Sequence, residues 1–288
     1  MKTKKVSTHD ILAAKSAGPK LTAVTAYDFT MASLLDEGGV DILLVGDSLG
    51  MVVQGADNTL SVTLEEMIYH CRAVARAKPR AHIACDLPFM SYQLSAEVAL
   101  VSSGRLVKEG YAESVKLEGG REIAASVARI VAAGIPVMGH IGLTPQAVHR
   151  FGGFRIQGKT EEAAKGLLQD AVALAEAGVY ALVIEGVPQG VAALITEQIS
   201  VPTIGIGAGA QTDGQVLVCY DLLGMYRGLS PKFVKRFAEL GDSASAAIAT
   251  YVDDVRSGAF PAAEHAFSMA TGQDLESLKR SLDAESDS

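Results

Sequence analysis

Eight short apolar runs, spaced along the chain and mostly separated by helical patterns, constrain the fold more than any other feature of this sequence. They are LTAVTAYD (21–28), DILLVGDS (41–48), HIACDLPF (82–89), SVKLEGG (114–120), PVMGHIGLT (136–144), ALVIEGVP (181–188), PTIGIGAGA (202–210) and QVLVCYDLLG (215–224). Most are continuous rather than alternating, which is the signature of parallel strands buried on both faces. Helix-like segments lie at 63–77, 95–109, 121–133, 160–177 and 243–257. Thr63, with Glu65 and Glu66 behind it, reads as a helix start, and the glycines at 110, 134 and 178 read as helix stops. This alternation predicts a single (β/α)8 TIM barrel over residues 1–267, with an extra N-terminal helix at 8–17 over the barrel bottom. An open doubly wound sheet is the competing topology, because only a few residues separate the seventh and eighth runs. The polar tail, 268–288, is expected to fray.

Composition narrows the partners. Of 288 residues, 49% are hydrophobic, ample for a core, and the formal charge of -8 disfavours nucleic acid and anionic membrane as main partners. The three cysteines, Cys71, Cys85 and Cys219, have no zinc-site or disulfide spacing. No signal peptide and no membrane span is read, so a cytoplasmic protein is expected.

Four runs end in a carboxylate: Asp47 after ILLVG, Asp86 in IACDLPF, Glu118 in VKLEGG and Glu185 in LVIEGVP. A single acid there is as readily a helix cap. Four acids at four strand ends fall where the C-terminal mouth of a barrel holds its active site. Asp47, Asp86 and Glu118 would sit on adjacent strands. Carboxylates about 4–5 Å apart repel by roughly 3–4 kcal/mol per pair at an effective dielectric near 20. Protonation or a cation must relieve that, and an all-oxygen site suits Mg2+. Lys116, two residues before Glu118, would face the barrel interior beside it and needs an anion, either an acid of the cluster or a substrate carboxylate. His140 would end the fifth strand, where it could hydrogen-bond or move a proton, or simply be a satisfied core histidine. Ser48 could bind a carboxylate or cap a helix. GIGAGA (205–210) matches a dinucleotide fingerprint only formally, since no helix opens after it.

VGDSLGM, CDLPF, VKLEGG, GHIGLTPQ, LVIEGVP and GIGAG, in this order, resemble the ketopantoate (3-methyl-2-oxobutanoate) hydroxymethyltransferase family over residues 6–267. That resemblance implies a Mg2+ enzyme, with one ion per subunit. It transfers a hydroxymethyl group from 5,10-methylenetetrahydrofolate to α-ketoisovalerate, through an enolate, in pantothenate biosynthesis. It implies Asp47, Asp86 and Glu118 as the metal site. Asp47, Ser48, Asp86 and Lys116 would contact the ketoacid, and Glu185 would accept its proton; His140, from its place at the end of the fifth strand, is expected as a further ketoacid contact. It also implies a homodecamer. Barrels of the phosphoenolpyruvate mutase and isocitrate lyase type also place acids at strand ends, but the lyase motif KKCGH is absent. A non-catalytic ketoacid sensor would not need a base such as Glu185.

Overall fold

The structure, a computed structural model, describes residues 4–228, 231–270 and 273–286. It divides into two compact units, Met1–Ala238 and Glu239–Ser288.

In the first unit all eight apolar runs become strands: β1 Leu21–Thr25, β2 Ile42–Val45, β3 His82–Asp86, β4 Ser114–Glu118, β5 Val137–Gly142, β6 Ala181–Glu185, β7 Thr203–Ile206 and β8 Gly214–Leu217. Each pairs in parallel with its sequence neighbour, and β8 closes on β1, so the sheet is a barrel rather than an open layer. Each strand is shorter than its apolar run, because the run continues into the loop above it.

Period two sorts each strand onto two faces. Leu43, Val45, Ile83, Cys85, Val115, Leu117, Leu182 and Ile184 point outward into the layer between sheet and helices. Ile42, Leu44, Ala84, Met138, Ala181, Val183, Ile204 and Val216 point inward and fill the barrel. The same inward row turns polar at both ends. On β4 it runs Ser114, Lys116, Glu118, all at most 6% exposed. At the bottom, Ser114 Oγ bonds both His82 Nε2 and the Tyr180 hydroxyl at 2.9 Å. The expected N-terminal helix forms at Thr8–Ala17, opened by a Ser7–Asp10 capping box, and its Ile11 is fully buried against the interior residues.

The outer helices follow the sequence signals. Thr63 and Glu66 form a reciprocal capping box on helix Leu64–Ala75, and Ser95 caps helix Ala96–Gly110. Gly110 is not the stop expected of it. It remains helical, a Cβ added there would stand 3.3 Å from Cys71, and Tyr111 takes the left-handed position at φ 62° instead. No helix lies between β7 and β8: residues 207–213 return the chain directly. Seven extended residues reach about 23 Å, more than a four-residue strand requires.

The second unit begins with helix Leu240–Ser257, which contains the helix expected at 243–257. A second helix, Leu275–Ser286, occupies the tail where fraying was expected. The unit boundary at 238 thus falls earlier than the barrel limit of 267 read from sequence.

Candidate active site

The strand ends converge. Asp47, Ser48, Asp86, Lys116, Glu118, His140 and Glu185 all line one cavity of about 170 Å3 at the C-terminal mouth of the barrel. Register explains the convergence. Asp86 pairs across the ladder with Lys116, Glu118 with His140, and Gly142 with Glu185, so polar side chains from β3 to β6 stand at one level. Asp47 joins them just past β2. Its chain turns at Gly46, where a Cβ would meet Ser48 Oγ at 2.8 Å. Apolar side chains, among them Leu44, Val183, Ile206, Val216 and Phe233, line the rest of the cavity.

The acids do not cap helices. Asp86 Oδ1 lies 2.9 Å from Lys116 Nζ, and Asp86 Oδ2 accepts the Asp47 backbone N–H at 3.1 Å. Asp47 Oδ2 accepts from the side-chain amide of Gln146 at 2.8 Å. Glu118 Oε2 accepts the Gln146 backbone N–H at 2.9 Å, and Glu118 Oε1 lies 3.3 Å from His140 Nδ1. His140 Nε2 faces Glu185 Oε2 at 3.4 Å without forming a hydrogen bond. Ser48, at the start of the short helix Leu49–Val52, also makes no side-chain cap; its Oγ shares a 2.8 Å hydrogen bond with the Tyr27 hydroxyl.

Burial and crowding set the charges. Burial, then repulsion from Asp86 and Glu118, pushes the Asp47 carboxyl well above its ordinary range. Burial likewise raises Asp86, against the pull of Lys116. Burial would raise Glu118 too, but His140, Lys116 and the Gln146 N–H outweigh it and hold that carboxyl low. At His140, burial and the Lys116 charge favour the neutral ring, yet Glu118 and Glu185 overcome them and push its pKa up to about 9. That shift favours the protonated ring, whose Nδ1 lies 3.3 Å from both Glu118 Oε1 and Lys116 Nζ.

This arrangement fits a divalent cation. With every group ionised, four carboxylates oppose Lys116 and His140, a surplus of two negative charges on mostly buried side chains. Asp86 Oδ1 is buried without a well-aligned hydrogen bond. Among the described residues, no three His, Cys, Asp or Glu side chains are arranged to hold a metal by themselves. Mg2+ commonly takes only one or two carboxylates and completes its shell with water or substrate. Asp47 and Asp86 offer two carboxylates of that kind from neighbouring strand ends, Asp86 with Lys116 at its Oδ1, while Glu118 holds the Gln146 N–H by Oε2 and faces His140 by Oε1.

Three groups of the site escaped the sequence reading: Gln146, Tyr92 and Tyr27. Gln146 belongs to GLTPQ, but nothing in its spacing marks an amide that reaches across to the loop after β2.

A profile of the family described as ketopantoate hydroxymethyltransferase matches residues 5–263. The chain belongs to that family. It is 54% identical over 264 residues to the 3-methyl-2-oxobutanoate hydroxymethyltransferase of Pelobacter propionicus, covering 92% of this chain and 98% of that one. It is 56% identical over 272 residues to the enzyme of the same name from Anaeromyxobacter sp., covering 93% and 89%. The chain is thus an enzyme, a hydroxymethyltransferase acting on small molecules. Among solved structures, phosphonopyruvate hydrolase in complex with oxalate and Mg2+ superposes with a TM-score of 0.59 at 13% identity, covering 97% of this chain and 98% of that one. A 2,3-dimethylmalate lyase of the phosphoenolpyruvate mutase/isocitrate lyase superfamily gives 0.58 at 14%, covering 98% and 99%. These two share the barrel fold. No helix among the described residues is long and apolar enough to cross a membrane.

Proposed function

We propose that this enzyme transfers the one-carbon unit of 5,10-methylenetetrahydrofolate to C3 of α-ketoisovalerate, through an enolate and with Mg2+ in the site, on the way to pantothenate. The observation that carries the reading is the division of the cavity: Asp47, Asp86 and Lys116 on one side, and across from them Glu185, whose Oε2 lies 3.4 Å from His140 Nε2. A Mg2+ ion held by Asp47 and Asp86 would supply Lewis-acid polarisation of the ketoacid's carboxylate and keto oxygens. Glu118 supports that side through the Gln146 main chain and faces the His140 ring.

The protein's own groups account for the proton. Lys116 remains cationic between its carboxylate partners and offsets the charge of the ketoacid. Glu185, the least buried of the four acids, takes the C3 proton through its carboxylate. The His140 ring stands between the two glutamates, its Nδ1 3.3 Å from Glu118 Oε1 and its Nε2 3.4 Å from Glu185 Oε2. Ser48, steadied by Tyr27, offers its hydroxyl to the substrate carboxylate. The apolar wall of Val183, Ile206 and Val216 suits the branched end of the ketoacid.

Product formation from α-ketoisovalerate, assayed with and without 5,10-methylenetetrahydrofolate and Mg2+, tests the reading. Ketopantoate should form only when both are present. Equal product without the folate would rule out the proposed donor.

A further inference from the structure

The Gln146 side chain is 6% exposed and carries a hydrogen bond on every polar position it has. Its Nε2 donates to Asp47 Oδ2 at 2.8 Å and to the Leu87 carbonyl at 2.9 Å. Its Oε1 lies 2.7 Å from the Tyr92 hydroxyl and accepts from Gln93 Nε2 at 3.2 Å. The amide can face only one way. A flipped group would set its oxygen against the Leu87 carbonyl, which cannot donate. The backbone N–H of the same residue holds Glu118 Oε2. Tyr92 fixes the far end, since its hydroxyl accepts from the Glu118 backbone N–H at 3.2 Å. One side chain thus ties together the loops after β2, β3 and β5, and the same residue's main chain reaches the end of β4.

The consequence falls on Asp47. The amide occupies Oδ2, while Oδ1 accepts no hydrogen bond from any described residue and belongs to a side chain that lines the cavity. We propose that Gln146 is the positioning residue of the acid cluster, pinning Asp47 by one oxygen so that the other stays aimed at a divalent cation. This rests on the cation reading above. Groups that orient metal ligands typically contribute 10–100-fold in affinity.

The test is Mn2+ binding, followed by the electron paramagnetic resonance signal of the free ion, with neither ketoacid nor folate present. Gln146→Met keeps the length and removes both donors. Its Kd for Mn2+ should rise about tenfold, with circular dichroism unchanged. Should that variant fold poorly, Gln146→Asn, one methylene too short to reach Asp47, should show the same loss. A merely structural role predicts a lower Tm with Kd unaltered. A folded variant binding within twofold of the unsubstituted enzyme would therefore overturn the proposal while leaving the cation reading intact. If the unsubstituted enzyme binds no Mn2+, the cation reading itself fails and the proposal falls with it.

Discussion

Glu185 and Lys116 do different work and should fail differently. Glu185→Gln keeps the shape and removes the base. General bases contribute about 10²–10⁴-fold, so kcat should fall by at least 100-fold while Mn2+ affinity stays within a few-fold. A loss of Mn2+ binding as large as the loss of turnover would make Glu185 part of the cation site instead. Lys116→Met removes the cation that Asp86 meets at 2.9 Å. Truncating one partner of a buried charge pair costs about 2–5 kcal/mol. The variant should lose about 100-fold in kcat/KM, chiefly through a higher KM for the ketoacid, measurable by steady-state titration. Unchanged KM would mean the pair is only structural. The position of Glu185 was legible because it ends an apolar run, and that of Lys116 because period two sets it on the same face as Glu118. Gln146 was not, because its contacts are set by tertiary folding 99 positions away from Asp47 in the chain.

At the scale of elements, the strands specify the site and the outer helices support it. A one-residue slip of β4 would turn Lys116 and Glu118 outward and bring Val115 and Leu117 inward. The continuous apolar character of the runs revealed the strands, and their number and order gave the barrel. Strand lengths were less legible, since the chain stays apolar above each strand where it lines the mouth. Gly110 misled for a physical reason: close packing against Cys71 demands glycine as much as a helix stop does. Helix Leu64–Ala75 has its capping box on the outer ring. Thr63→Ala should therefore cost about 1 kcal/mol of stability in denaturant unfolding, with kcat unaltered. A matching drop in kcat would show that the helix start reaches the site.

The whole molecule separates chemistry at the top of the barrel from a polar plug at its bottom. Burial pushes the His82 imidazole down to about 4, although Glu113 pulls the other way and Lys5 adds to the fall. An unfolded histidine titrates near 6.5. The neutral ring is thus compatible with the fold above that pH, and stability is lost as pH falls through 6.5 toward 4. The loss amounts to about 2 kcal/mol at pH 5 relative to pH 7. His82→Gln, which can still bond Ser114, should flatten that limb of the stability curve, as unfolding at pH 7 and pH 5 will show. An identical acid limb in the variant would assign it to other groups. Neither the plug nor its separation from the mouth was legible beforehand, because Ser114 and Tyr180 meet His82 only when the barrel closes.

The central claim is that Glu185 removes the C3 proton of α-ketoisovalerate beside a divalent cation. The direct measurement follows that proton by NMR in D2O, with enzyme and Mg2+ but no folate, and then with a folate analogue that carries no transferable carbon. The account predicts exchange that depends on Mg2+ and disappears in Glu185→Gln. Absence of exchange in the unsubstituted enzyme, even with the analogue bound, would contradict it.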